Sequence, residues 1–250
     1  SVAQAQPVTT ALTHARVLTA HGWRDDLAVL LDGERIAALL PNDHAAVRAA
    51  QAQDLGGALL VPGFIDTQVN GGGGALFNAA PTVETIRTIG AAHRKFGTTG
   101  FLPTLISDGT DVMRAALAAV DKAFDEGVPG LLGIPLEGQF ISHAKRGVHP
   151  PADIQPPSIP LFERMQQAAR GHIRLLTIAP ETPGALDLIE YATKSGTHVS
   201  LGHSDATAAQ TRAAIQAGAH SATHTFNAMR VLDHREPGIA GVVLDSPALF

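Results

Sequence analysis

Cysteine is absent from the 250 residues. Disulfides and thiolate metal sites are therefore excluded, and a transition metal would have only His, Asp and Glu to hold it. Basic residues are in the minority, with 18 Lys and Arg against 23 Asp and Glu and a formal net charge of −5. With no basic face available, nucleic acid is not expected as the main partner, although local arginines and backbone amides can still bind small anions. Membrane-crossing segments are missing too, since no apolar run approaches ~18 residues, and no membrane partner is expected. The opening Ser1-Val2-Ala3-Gln4-Ala5-Gln6 lacks a basic segment leading into an apolar one, so it does not read as a secretory signal. Without an initiator Met the start reads as processed, and the cytoplasm is the expected compartment. What is present is ordinary for a globular enzyme, with 45% hydrophobic and 16% charged residues over a length that buries a large core.

Against that background two stretches stand out, Leu201-Gly202-His203-Ser204-Asp205-Ala206 and Thr223-His224-Thr225-Phe226-Asn227-Ala228-Met229. Each sets a histidine at the end of a short run that reads as a buried strand. The segment between them, Ala208 to Ala217, has the length of a βαβ crossover helix. Parallel neighbouring strands would bring His203 and His224 to one rim of a sheet. Glu137, at the end of Leu131-Leu132-Gly133-Ile134-Pro135-Leu136-Glu137, adds a carboxylate to that rim. Two imidazoles and a carboxylate suit a catalytic Zn²⁺ that keeps an open position for water.

Up to Gly57 the chain reads as a small β-subdomain, with strand candidates at Thr9–Thr19, Leu27–Leu31 and Arg35–Leu40 and a hairpin turn at Asp32-Gly33. From Leu59 onward, apolar strands alternate with Ala-rich helices. The strands are expected at Leu59–Ile65, Gly100–Thr104, Leu131–Leu136, Ile173–Ile178, His198–Leu201 and Ser221–His224. The helices are expected at Thr82–Phe96, Thr110–Glu126, Pro160–Arg170, Ala185–Ser195 and Ala206–Ala217. This alternation predicts an α/β fold with a parallel sheet. An open doubly wound sheet is the poorer fit, because Gly71-Gly72-Gly73-Gly74 runs into Ala75-Leu76-Phe77-Asn78 and not into a capped helix. Six βα strands are visible where a (β/α)₈ barrel needs eight, and the last residues, Leu244 to Phe250, show no closing helix. The expectation is a barrel that is incomplete in this chain.

Strand C-termini of a parallel barrel converge on one mouth. A lone strand-end His or Glu reads as packing or solvation, but three on three strands read as metal ligation. Asp205 either orients the His203 imidazole or caps the helix near Ala206, and capping is the commoner use of Asp there. Asp66 stays open between a structural role and support of the site. His220 belongs at the opposite end of the strands, while His14, His44 and His172 default to the surface.

The stretches Pro62-Gly63-Phe64-Ile65-Asp66-Thr67-Gln68-Val69-Asn70-Gly71, Gly97-Thr98-Thr99-Gly100, Leu136-Glu137-Gly138-Gln139-Phe140-Ile141, Gly202-His203-Ser204-Asp205-Ala206, His224-Thr225-Phe226-Asn227-Ala228-Met229 and Arg235-Glu236-Pro237-Gly238 occur in order. Together they resemble the amidohydrolase superfamily, and within it the N-acetylglucosamine-6-phosphate deacetylase family, from about Val8 to the last residue. The resemblance implies a (β/α)₈ TIM-type barrel beside a small β-sandwich built from both chain ends. Residues 1–57 would then be the N-terminal part of the sandwich, and residues 58–250 about six of the eight barrel units.

The same resemblance implies that Glu137, His203 and His224 hold a divalent metal. Many relatives carry His-x-His where this chain has Gln68-Val69-Asn70, and neutral carboxamides are poor ligands beside imidazole. One metal is therefore expected, Zn²⁺ first, with Fe²⁺, Co²⁺ and Mn²⁺ as options and Gln68 beside the activated water. The implied reaction removes acetate from N-acetylglucosamine 6-phosphate to give glucosamine 6-phosphate. Substrate contacts would come from His149, Asn227, Ala228 (by backbone amide) and Arg235, whose planar fork suits phosphate. In the family this arginine acts across an interface, so a homodimer is implied. The family's proton carrier, an aspartate on the eighth strand, would lie beyond Phe250. No catalytic acid or base is thus expected within these residues, and the chain alone is expected to be inactive. Gln139 stands where the family usually has Pro, which bears on the loop leading to His149. Two alternatives remain: an amidohydrolase acting on another N-acyl sugar or a cyclic amide, and a non-catalytic metal- or sugar-phosphate-binding relative.

Overall fold

The computed structural model describes residues 9–247 and Leu249. It divides into two compact units, one ending at Gly63 and the other beginning at Phe64; the change of pattern in the sequence lies at Gly57.

The first unit contains β1 (Thr10–Thr13), β2 (Arg16–Thr19), β3 (Gly22–Arg24), β4 (Leu27–Asp32), β5 (Arg35–Pro41), α1 (Ala45–Ala49), β6 (Gln51–Asp54) and β7 (Leu59–Leu60). These strands form a four-stranded sheet, β5-β4-β1-β6, and a three-stranded sheet, β3-β2-β7. The single strand expected over Thr9–Thr19 is therefore two. His14 takes a left-handed φ of 52°, and that bend sends β1 to one sheet and β2 to the other. The β4–β5 hairpin turns at Gly33, whose φ of +58° is open to glycine at no steric cost. The strand expected over Leu59–Ile65 is also divided. β7 pairs with β2 in this unit, and Pro62, with no N–H for a ladder bond, separates it from the next strand. His44 caps α1, its Nδ1 accepting from the Ala46 N–H at 3.2 Å.

The second unit continues with β8 (Phe64–Val69), β9 (Gly71–Gly72), β10 (Ala75–Leu76), α2 (Val83–Arg94), β11 (Thr98–Pro103), β12 (Leu105–Ile106), α3 (Thr110–Asp125), β13 (Ile134–Phe140), α4 (Ile159–Ala168), β14 (Ile173–Ile178), α5 (Ala185–Lys194), β15 (His198–Leu201), α6 (Ala208–Gln216), β16 (Ser221–Ala222) and α7 (Gly238–Asp245). β8 and β11 pair in parallel, as do β12-β13-β14-β15-β16, and a parallel bridge from Phe101 to Leu131 links the two groups. Three of the helices start where the sequence supplies side-chain caps. Thr82 caps α2, Ser158 caps α4, and Thr207 with Gln210 forms a capping box on α6. One face of each strand packs on the helices, with Ile134, Leu136, Phe140, Leu176, Ile178, Val199 and Leu201 against Ile86, Ile89, Phe162, Leu188 and Ile189 in one core. Burying a side chain of this kind contributes roughly 1.5–3 kcal/mol, so this layer fixes the strands whose ends carry the site.

Three expectations are corrected here. β13 begins at Ile134 and runs to Phe140, so Glu137 lies inside a strand and not at its end. The cause is a neighbour on each side, since Glu137 pairs with Ile106 of β12 and Phe140 with Ile178 of β14. The helices expected from the sequence end at Ala217 and do not include α7, whose apolar Gly238-Ile239-Ala240-Gly241-Val242-Val243 packs on α6. His172, expected at the surface, is mostly buried and stacks on Phe124 with ring centroids 3.9 Å apart. Among the described residues no helix is long and apolar enough to cross a membrane.

Candidate metal centre

Three strand ends of the second unit meet at the Glu137 carboxylate. His224 Nε2 lies 2.6 Å and His203 Nε2 3.3 Å from the same oxygen, Oε1. The other oxygen, Oε2, accepts a hydrogen bond from Gln68 Nε2 at 2.5 Å. Gln68 in turn accepts at Oε1 from the Thr223 hydroxyl at 3.1 Å, next to His224. Gln68 thus joins β8 to the segment after β16 through the carboxylate between them. Burial pushes the Glu137 carboxyl up, but hydrogen bonds and charge from His203 and His224 outweigh it and hold the group at about 2. The same carboxylate, by its hydrogen bond, raises His224.

The backbone that presents these histidines is unusual. His203 and His224 have φ of 48° and 53°, and Phe226 and Ala228 on the following loop have 73° and 48°. Left-handed geometry at a non-glycine residue costs about 1–2 kcal/mol, so the surrounding contacts must over-determine it. At His203 they do. Glu181, just beyond β14, accepts from the Ser204 hydroxyl and from the Asp205 N–H, each at 2.6 Å. Ser204 N–H donates to the Ala228 carbonyl, which ties the two histidine loops together. The His203 ring is fixed at its far side, where Nδ1 donates to the Lys145 carbonyl at 2.9 Å. With Nδ1 committed to that carbonyl, Nε2 faces Glu137 and holds either a proton shared with the carboxylate or a lone pair open to a cation.

That arrangement fits a divalent cation. A lone pair facing a carboxylate oxygen is repulsive unless positive charge lies between them. Ligand atoms on a tetrahedral zinc sit roughly 3.3 Å apart, and Glu137 Oε1 and His203 Nε2 are 3.3 Å apart. Donor atoms of Glu137, His149 and His203 also lie within 4.8 Å of one another. This group does not include His224, and it brings a third histidine, assigned from the sequence to substrate contact, beside the expected ligands. Burial, and then His203, push the His149 imidazole below its ordinary range.

Of the residues singled out in the sequence, Gln68, Glu137, His149, His203, His224, Asn227 and Ala228 line one cavity of about 580 Å³. This is within the ~300–1,000 Å³ usual for small-molecule sites. Asn227 donates its backbone N–H to the His224 carbonyl at 2.6 Å, so an anion would meet its side chain. Arg235 does not line the cavity. It stands exposed, with its N–H on the Asp233 carboxylate at 2.9 Å. The adjacent Glu236 accepts from the N–H groups of Ala208 and Gly238 at 2.6 and 3.0 Å, pinning the loop to the starts of α6 and α7. Asp205 neither caps α6, which Thr207 does, nor orients His203, which the Lys145 carbonyl does. Its carboxylate pairs with Arg230 at 2.9 Å and Lys145 at 3.7 Å. Asp66 accepts from the Gln68 N–H at 3.1 Å, a local support for that residue. Gln139 is buried, and neither polar atom of its carboxamide has a hydrogen-bond partner. Ser107, Glu181 and Lys145 were missed in the sequence. The first two follow strands β12 and β14, so the convergence of strand ends is the signal that would have found them.

A model of the amidohydrolase family matches residues 59–245. The chain is 48% identical over 189 residues to an N-acetylgalactosamine-6-phosphate deacetylase of Shewanella sp. (strain ANA-3), covering 75% of this chain and 47% of that protein. It is 35% identical over 237 residues to the N-acetylglucosamine-6-phosphate deacetylase of Vibrio furnissii, covering 94% and 59%. The crystal structure of N-acetylglucosamine-6-phosphate deacetylase from Pasteurella multocida superposes with a TM-score of 0.86 at 35% identity, over 96% of this chain and 63% of that one. A mutant of the Mycobacterium smegmatis deacetylase in complex with N-acetyl-D-glucosamine-6-phosphate gives 0.85 at 33% identity, over 96% and 62%. The chain thus spans about half of the length of the curated relatives it matches.

Proposed function

The chain belongs to the amidohydrolase family, and from that premise we propose that it carries the metal centre and much of the sugar pocket of a deacetylase acting on N-acetylglucosamine 6-phosphate. The observation that carries this reading is the buried Glu137 carboxylate with the Nε2 atoms of His224 and His203 at 2.6 and 3.3 Å from one oxygen. Glu137, His203 and His224 hold one divalent metal, Zn²⁺ by the borderline character of the donor set. Bound there, the metal supplies Lewis-acid activation of water and of an amide carbonyl. Gln68 holds the Glu137 carboxylate in its orientation and His149 contacts the acetamide from the cavity wall. Asn227 and Ala228 receive the phosphate within the cavity. Arg235 reaches the phosphate bound by the other protomer of a homodimer, which accords with its position off its own cavity. The parallel strands belong to a (β/α)₈ barrel, with residues 58–250 supplying about six of its units and residues 1–57 the N-terminal part of a β-sandwich. A second reading, the galactosamine epimer as substrate, is favoured by the 48% identity to the Shewanella protein.

Calorimetric titration of the zinc-loaded chain with both 6-phosphates and with the unphosphorylated sugars tests the assignment. Hydrogen bonds to charged groups are worth about 1.5–3 kcal/mol. Arg235→Ala is therefore expected to weaken binding of the 6-phosphates by roughly 10- to 100-fold and to leave the unphosphorylated sugars unchanged. An undiminished preference for the 6-phosphates would remove Arg235 from the site, and no preference in the parent chain would remove the phosphate reading altogether.

A further inference from the structure

Three histidines crowd the Glu137 carboxylate, yet the partners at their far nitrogens differ. His203 Nδ1 faces a carbonyl oxygen, that of Lys145. His149 Nδ1 faces donors instead: the backbone N–H of Ser107 at 3.3 Å and the Ser107 hydroxyl at 2.9 Å. We propose that Ser107 is a positioning residue of this centre, holding His149 in the tautomer protonated at Nε2 so that it faces the metal seat as a hydrogen-bond donor and not as a further ligand. The proposal rests on the metal-centre reading above.

A backbone N–H can only donate, so a neutral imidazole opposite it must accept at Nδ1 and carry its proton on Nε2. The hydroxyl, free to rotate, reinforces that choice by donating to the same nitrogen. Both groups are buried, where leaving either donor unmade costs about 1–3 kcal/mol. Ser107 itself has little freedom to shift. The preceding Ile106 is clamped at both backbone groups by the Asn78 carboxamide, at 3.2 Å each, and pairs in register with Glu137. Behind the contact stands Gly138, where a Cβ would lie 2.0 Å from Ser107 Oγ and 2.3 Å from His149 Nδ1. The seat thus takes a serine hydroxyl and an imidazole edge with no space left over. The outcome is a sorting of like side chains: the partner of each Nδ1 decides whether Nε2 offers a lone pair or a proton.

The test is ¹⁵N NMR of the histidine-labelled chain, metal-free and zinc-loaded, with the His149 signals assigned by their loss in His149→Gln. In both states His149 is expected to show a protonated Nε2 and an unprotonated Nδ1. Ser107→Ala removes the 2.9 Å hydroxyl contact and leaves only the longer backbone N–H at 3.3 Å, and it is expected to shift both nitrogens part of the way toward a tautomer average. Unshifted signals of His198 and His220, which stack together at the opposite end of the strands, report that the variants are folded. A parent chain protonated at His149 Nδ1, or a folded Ser107→Ala variant with unshifted His149 signals, overturns the assignment. A chain that shows the expected His149 pattern but binds no zinc keeps the role of Ser107 and overturns the metal reading instead.

Discussion

Glu137→Gln is expected to lower the zinc affinity of the chain by more than ~100-fold, since even loss of a group that merely supports a ligand costs 10- to 100-fold. The substitution keeps the shape of the side chain and its hydrogen bond from the Gln68 amide. It removes the negative charge that both imidazoles share at Oε1. The carboxylate is the only anionic member of the donor set, so the site would then have to hold a dication with neutral groups alone. Because the glutamine fits the same space, the fold is expected to survive, and circular dichroism should match that of the parent. Metal content after dialysis against a zinc buffer checks the result. Retention of one zinc per chain at parental affinity would mean that the metal is held elsewhere.

Gly138→Ala is expected to be the most damaging single methyl group near the site. The glycine has φ of +120°, and a Cβ would meet Ser107 Oγ at 2.0 Å and His149 at 2.3 Å. Neither neighbour can retreat, because Asn78 clamps the segment before Ser107 and the His149 ring packs edge-on against His203. Overpacking costs about 1–3 kcal/mol and a forbidden backbone conformation a similar amount, so a loss of about 3–5 kcal/mol is expected. Urea unfolding monitored by circular dichroism measures it. A loss under ~1 kcal/mol, within the range of an ordinary surface change, would show that the strand relaxes freely around the added methyl.

The features legible in the sequence share one property: each was signalled by residues close together along the chain. His203 and His224 follow apolar strands separated by one crossover helix, and the structure brings both to Glu137 as the βαβ spacing implies. The five expected helices begin within two residues of their expected starts, although the cap of α6 is Thr207 and not the Asp205 favoured from the sequence. What escaped depends on distant partners. Ser107 acquires meaning only from His149, 42 residues away, and Lys145 through its carbonyl, 58 residues from His203. No side-chain pattern encodes a backbone oxygen. The break at His14 was hidden because both halves of the run have strand composition. The strand end expected at Glu137 is overrun because β13 continues to Phe140, with the φ of Gly138 serving a close approach inside it.

The left-handed turns at His203 and His224 bear on how the ion is acquired. Glu181, the Lys145 and Ala228 carbonyls and the Gln68 carboxamide hold the donor atoms. All of these groups belong to the chain, and the strands that carry them are held by an extensive apolar core. In a zinc finger the binding energy is spent on folding; here a chelator is expected to remove the ion without unfolding the second unit, and circular dichroism before and after chelation reads the difference.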